Sequence, residues 1–255
     1  MPHNIGEAFA FLYYINTTAM GIFSNDTTIA QSGLLRGFPD FHCHLLPGVD
    51  DGVKTLGATL EILSLYQELG ITTAWLTPHI MEDVPNTTQD LRQRYKELRQ
   101  AYDGPVKLKL ASENMLDSLF EERLDKEDLL PIGDDASMLL VETSYFNPPM
   151  DLDGMLERIR AKGYYPLLAH PERYTYMDRD DYRRLKRAGV RFQINLPSLV
   201  GGYGELARKK AEWLLKEGMA DMCGTDTHSM GMIEATAHRK ALKKAVKQQL
   251  TQLLR

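Results

Sequence analysis

Seven times along this chain a short run of apolar and β-branched residues gives way to a segment with helical spacing, and that alternation restricts the fold more than any other feature. The first strand-like run starts at Asp40, and the others cover 71–77, 106–111, 138–141, 165–169, 190–196 and 220–224. Helical segments are expected over 54–70, 87–102, 116–130, 151–162, 179–188, 205–217 and 233–254, several of them stopped by a glycine such as Gly70, Gly163, Gly189 or Gly218. Repeated strand-then-helix units imply a parallel sheet with helices outside it. Seven units without a Gly-x-Gly-x-x-Gly motif predict an α/β fold of the barrel kind, closed or distorted, rather than a dinucleotide-binding sheet. A length of 255 residues suits one such domain, expected over 38–255, with no second domain, repeat or low-complexity tract.

The first unit carries the densest chemistry. It reads Asp40-Phe41-His42-Cys43-His44-Leu45-Leu46-Pro47-Gly48-Val49-Asp50-Asp51-Gly52. Residues two apart on a strand share a face, so His42 and His44 are expected to look one way and Phe41, Cys43 and Leu45 the other. Pro47-Gly48 ends the strand, and the Asp51-Gly52 turn brings a carboxylate back. Two imidazoles and a carboxylate suit zinc, iron or manganese. On its own the pair could equally be two hydrogen-bonded core histidines.

The other units change the balance. His79 ends the second strand, Glu113 the third, Glu142 the fourth and His170 the fifth, while Asp226 and His228 end the seventh. The sixth offers Asn195, which can only hydrogen-bond. Five of the chain's seven histidines thus fall at C-terminal strand ends, the face where α/β barrels build their sites. Each member alone has a bland alternative as a cap, a turn residue or a solvated carboxylate. Together, nine ligand-type side chains on one face would repel or lose hydration unless cations sat among them. One zinc-like ion uses three or four protein ligands, so nine groups predict two or three divalent ions. Clustered divalent ions point to phosphoester hydrolysis. Arg173, three residues after His170, has the planar fork that suits a phosphoryl group, a surface pair with Glu172 being its alternative.

The remaining features exclude more than they add. A net charge of −5 argues against a nucleic-acid partner. Two cysteines, Cys43 and Cys223, are too few for a disulfide framework, fit a reducing compartment and are expected to be buried strand residues. Residues 8–23 are apolar but short, interrupted by Asn16, Thr17 and Thr18, so stable membrane insertion is not expected. Residues 24–37 read as a polar linker, and 1–37 as an extension either disordered or packed on the domain surface. The last helix carries Arg239, Lys240, Lys243, Lys244 and Lys247 beside an apolar stripe of Leu242, Val246, Leu250 and Leu253. It should dock on the domain with its basic face solvated, a membrane surface or an acidic tail being the other use of that face.

The segments HCHLLPGVDDG, TPH, SENM, VETS, AHPERY and GTDTH resemble, in order and spacing from Phe38 to about His228, the polymerase-and-histidinol-phosphatase (PHP) superfamily. Within it they are most similar to the bacterial metal-dependent tyrosine-protein phosphatases of capsule and exopolysaccharide loci. The resemblance implies a PHP-type distorted (βα)7 barrel and a cytoplasmic manganese enzyme, with iron or zinc as alternative ions. It makes His42, His44, Asp51, His79, Glu113, Glu142, His170, Asp226 and His228 metal ligands. Arg173 becomes the phosphate-binding catalytic residue, with His228 or a water as the proton donor to the leaving group. The implied substrate is the phosphotyrosine-bearing tail of a partner tyrosine kinase that controls polysaccharide chain length; a homo-oligomer is left open. One departure stands out. Members of that family often carry a further basic residue soon after the last Asp-x-His, whereas residues 229–237 here contain none and Arg239 comes late. Rival readings are a superfamily enzyme for a small phosphate such as histidinol phosphate, a phosphodiesterase, a phosphotyrosine-binding sensor with little activity, and an amidohydrolase.

Overall fold

The computed structural model describes residues 26–254, so the apolar stretch 8–23 lies outside the described residues. The strands are β1 (Pro39–Cys43), β2 (Thr73–Leu76), β3 (His79–Ile80), β4 (Lys107–Leu110), β5 (Glu113–Met115), β6 (Met138–Glu142), β7 (Tyr165–Ala169), β8 (Arg191–Asn195) and β9 (Met222–Gly224). They pair in parallel as β1-β2-β4 and as β3-β5-β6-β7-β8-β9.

β2 and β4 fill the runs expected at 71–77 and 106–111, and the unexpected short strands β3 and β5 lie just beyond them. Pro78, which has no N–H to give, separates β2 from β3. The ladder nevertheless continues across the gap, with Ala111 N donating to Leu76 O at 2.9 Å and Glu113 N to Pro78 O at 3.1 Å. At the other edge, Asp226 N donates to His42 O at 2.7 Å and His44 N to Thr227 O at 2.9 Å, which ties the end of β1 to the loop after β9. The parallel strands therefore curl into a distorted ring. Leu139, Val141 and Leu168 point outward into the large core under the helices. Trp75, Leu140, Leu167 and Ala169 form a smaller inner cluster. Burial on both faces explains why these strands read as unbroken apolar runs.

The expected alternation fails at Phe41. The register slips between Asp40 and Cys43. Cys43 joins the outer core as expected, but Phe41 packs on the inner cluster. A bulge of this kind re-aims a side chain next to a site.

Local chemistry sets most helix ends. Leu56–Leu69 is capped by Thr55, whose side chain accepts from Ala58 N, and stops at left-handed Gly70. Its buried face is Thr59, Ile62, Leu63 and Tyr66, while Leu56 is exposed. Three expectations need correction. The helix expected over 116–130 is only Ser118–Asp125, because Arg123 turns back to bond Asp128 O at 2.6 Å and the chain leaves through an irregular turn. The long last helix is two, Met230–His238 and Lys244–Leu253, since Leu242 between them exchanges both backbone hydrogen bonds with Thr27. In the stretch expected to be a linker, Ile29–Ser32 is a short helix with Ile29 fully buried. Of the basic C-terminal segment, Leu242, Val246 and Leu250 are buried as the stripe predicts. Among the described residues no helix is long and apolar enough to cross a membrane.

Candidate metal centre

The strand ends bring all nine expected side chains together. His42 Nε2 and His44 Nε2 face each other at 3.0 Å. Glu113 Oε2 lies 3.1 Å from the first and 3.2 Å from the second. Asp226 Oδ1 approaches the same two nitrogens at 3.5 and 3.6 Å. Glu113 Oε1 sits 2.9 Å from His170 Nε2, and Glu113 Oε2 also lies 3.2 Å from His79 Nδ1. His79 Nε2 and His228 Nε2 converge on Asp51 Oδ1 at 3.5 and 3.4 Å. The donor atoms fall into four overlapping groups, each within 4.8 Å: His44, Asp51, His79 and His228; His42, His44 and Asp226; His42, Glu113 and His170; His79, Glu113 and Glu142. The cluster runs from the fully buried Glu113 to Asp51, whose side chain is 71% exposed, so one end is open to solvent.

The backbone is bent to achieve this. His170 and Asp226 have φ of 33° and 53°, in the left-handed region that non-glycine residues seldom adopt. Two glycines make room for the histidines. A Cβ on Gly224 would collide with the Cβ of His42, and one on Gly52 with the backbone oxygen and Cβ of His44. This is the physical content of the glycines in Asp-Asp-Gly and Gly-Thr-Asp-Thr-His.

The donor set fits divalent cations. His79 Nδ1 and Glu142 Oε1 lie 3.0 Å apart and buried, yet neither has a hydrogen bond. Gln193 Oε1 accepts from His42 Nδ1 at 2.8 Å, its flip fixed because Gln193 Nε2 donates to Asn195 Oδ1 at 2.8 Å. Asp50 Oδ2 binds His44 Nδ1 at 2.8 Å. With both Nδ1 atoms carrying their protons outward, the two Nε2 lone pairs face each other across 3.0 Å. Two lone pairs in contact are repulsive unless a proton or a cation lies between them.

Without a cation, protons must serve. Burial and the charge on His44 push the His79 imidazole down, but the Glu113 and Glu142 carboxylates prevail and hold it at about 9. Burial raises the Glu113 and Asp226 carboxyls. For Glu113 the charges on His42 and His79 outweigh it, and for Asp226 those on His42, His228 and Arg173, so both lie well below the carboxylate range. A raised folded-state value means that His79 stabilises the metal-free protein fully below pH 6.5, and that this contribution is lost as pH rises towards 9. A bound metal replaces those protons. Thermal unfolding of chelator-treated protein is therefore expected to show a Tm that falls between pH 6.5 and 9, and manganese-loaded protein a flatter profile. Parallel profiles for the two forms would refute the exchange of protons for metal.

Several residues that the sequence left unmarked shape the site. Gln193 and Asp50 orient His42 and His44, and Asp50 Oδ2 also accepts from His79 N at 3.0 Å. Tyr203 OH donates to Asp226 Oδ2 at 2.7 Å, and Asn195, marked in the sequence as a hydrogen-bonding residue only, donates its Nδ2 to the same oxygen at 2.7 Å. Buried Asp40 accepts from Thr225 N at 2.8 Å and Tyr66 OH at 2.7 Å, fastening β1 to the loop that carries Asp226. The only sequence signal for Gln193 and Asp40 is polarity inside an apolar strand. Arg173 is placed beside the cluster, its Nη1 3.1 Å from Asp226 Oδ2. The surface pair with Glu172 does not form: Glu172 is buried and accepts from Asn195 N and Ser198 Oγ. Cys43 and Cys223 are buried, and burial pushes both thiols up, away from thiolate chemistry.

The tyrosine-protein phosphatase YwqE of Bacillus subtilis is 25% identical over 197 residues, covering 75% of this chain and 77% of that protein. The tyrosine-protein phosphatase CpsB of Streptococcus pneumoniae is 24% identical over 204 residues, covering 75% and 83%. In structure the chain superposes with a TM-score of 0.72 on a chain from crystal structures of YwqE from Bacillus subtilis and CpsB from Streptococcus pneumoniae, described as unique metal-dependent tyrosine phosphatases. That match has 24% identity and covers 85% of this chain and 86% of the other, so the fold is theirs. A family model described as capsular polysaccharide synthesis, CpsB/CapC, matches residues 38–254, and the chain belongs to that family.

Proposed function

We propose that this chain is a metal-dependent protein-tyrosine phosphatase, acting in the cytoplasm on the phosphorylated tail of a tyrosine kinase that controls capsular or exopolysaccharide synthesis. The observation that carries the reading is the convergence of nine imidazole and carboxylate side chains in four overlapping groups, with Arg173 at their edge. Relatives named as tyrosine-protein phosphatases support it. We assign His42, His44, Asp51, His79, Glu113, Glu142, His170, Asp226 and His228 as ligands of two or three divalent ions. Manganese is assigned from the family resemblance, with iron or zinc as alternatives that the same donors accept. Ions held there would lower the pKa of a water and draw charge from the phosphoryl oxygens.

The chain's own residues do the positioning. Among the described residues Arg173 uses only Nη1 in a side-chain hydrogen bond, leaving Nε and Nη2 to hold two phosphoryl oxygens. Glu113, fully buried, keeps its charge in the interior and presents both oxygens to the imidazoles. His228 Nδ1 binds Asp226 O at 2.8 Å, so only Nε2 is free. That nitrogen serves as ligand or as proton donor, not both at once. A tyrosinate, with a parent pKa of about 10, departs with little protonation, so the ligand role is the more useful one.

Manganese-dependent hydrolysis of a phosphotyrosine peptide tests the reading, with histidinol phosphate alongside and His170→Ala as the control. Chelator-sensitive turnover of the peptide, lost in the variant, is expected. Turnover of histidinol phosphate alone would overturn the protein substrate, and manganese binding without any turnover would make the chain a sensor.

A further inference from the structure

Among the described residues Arg173 is the only Lys or Arg paired with any of the nine clustered side chains. Its guanidinium is held in an unusual way. Its Cζ lies over the ring of Tyr145, 4.2 Å from the centroid, and over the ring of Tyr203, 3.9 Å from the centroid. The two tyrosines come from different loops, one following Glu142 on β6 and the other following β8. The Tyr203 hydroxyl meanwhile donates to Asp226 Oδ2 at 2.7 Å. That oxygen also accepts from Asn195 Nδ2 at 2.7 Å and from Arg173 Nη1 at 3.1 Å. Three donors exceed the two lone pairs of one carboxylate oxygen. Asp226 is left to face His42 and His44 through Oδ1 alone.

The Tyr203 loop is tied down from behind. Gly202 N donates to Pro197 O at 2.8 Å, and Arg239 Nη1 to Gly201 O at 3.3 Å. Arg239, the late basic residue after the last Asp-x-His, thus braces this loop.

We propose that Tyr203 is a positioning residue with two separable duties: its hydroxyl fixes the orientation of Asp226 toward the metal cluster, and its ring, with that of Tyr145, holds the plane of the Arg173 guanidinium for the phosphoryl group. The inference rests on the reading of Arg173 as the phosphate-holding residue. An arginine side chain has many rotamers. Two aromatic faces leave the fork in one plane, so less freedom is lost when phosphate binds. A hydrogen-bonded carboxylate is likewise a better-directed ligand than a free one.

Three variants separate the duties. Tyr203→Phe keeps the ring and loses the hydroxyl, Tyr145→Leu removes the other ring face, and Tyr203→Leu removes both features. Manganese affinity is read by calorimetry, and affinity for inorganic phosphate by product inhibition at saturating manganese. Tyr203→Phe is expected to weaken manganese by about 10-fold while leaving phosphate inhibition within about 3-fold. Tyr145→Leu is expected to weaken phosphate by about 10-fold and leave manganese affinity intact. Tyr203→Leu should show both losses; if it fails to fold, the other two variants carry the test. Wild-type manganese affinity in Tyr203→Phe would overturn the hydroxyl's duty, and wild-type phosphate affinity in Tyr145→Leu would overturn the clamp. A wild-type protein that binds manganese but neither binds phosphate nor turns over peptide would instead sink the proposed function, together with the clamp. The Tyr203→Phe metal measurement would still decide the hydroxyl's duty.

Discussion

Glu113→Gln is expected to lower kcat/KM on a phosphotyrosine peptide by more than about 10³-fold and to lower bound metal per chain. Glu113 belongs to two of the four donor groups. Its Oε1 faces His170, and its Oε2 faces His42, His44 and His79, all within 3.2 Å. Glutamine keeps the shape. It loses the one negative charge that those four imidazoles share, and its amide offers hydrogens where lone pairs are needed. Loss of several kcal/mol of charge stabilisation corresponds to about three decades in rate. Metal analysis of the purified variant and its turnover at saturating manganese check both halves. A full metal complement with near-wild-type kcat/KM would show that Glu113 is not a shared ligand.

Arg173→Lys is expected to cost about 10²- to 10³-fold in kcat/KM with metal content unchanged. Lysine keeps the positive charge beside Asp226. It cannot present two parallel N–H groups to two oxygens, nor offer a planar group to the rings of Tyr145 and Tyr203. The charge therefore survives while the geometry is lost, which makes this variant more informative than alanine. Metal content and inhibition by inorganic phosphate distinguish the outcomes. Retention of wild-type kcat/KM would mean that charge alone suffices. Loss of metal together with activity would mean that Arg173 acts by holding Asp226.

Much of the site was legible because its parts sit at fixed places in a repeated unit. His42, Glu142, His170, Asp226 and His228 lie at or just past C-terminal strand ends, His79 and Glu113 open the short β3 and β5 just beyond β2 and β4, and parallel strands in a ring point these residues the same way. Strand periodicity also foretold that Cys43 would turn away from His42 and His44. It misjudged Phe41, because a bulge is a defect in pairing and pairing is not written in one strand alone. The last helix broke for the same reason, where Leu242 met Thr27 from the far end of the chain.

The sequence by itself determined the alternation of strands and helices, the inventory of ligand-type side chains and the face on which they gather, since each follows from spacing within one unit. Only the tertiary structure decided which atoms meet: that Glu113 is shared among four histidines, that Gln193 orients His42 from 151 residues away, and that two tyrosines clamp Arg173. Those contacts arise between strands and loops that the closing of the ring brings side by side, and no local periodicity encodes the angle at which they close.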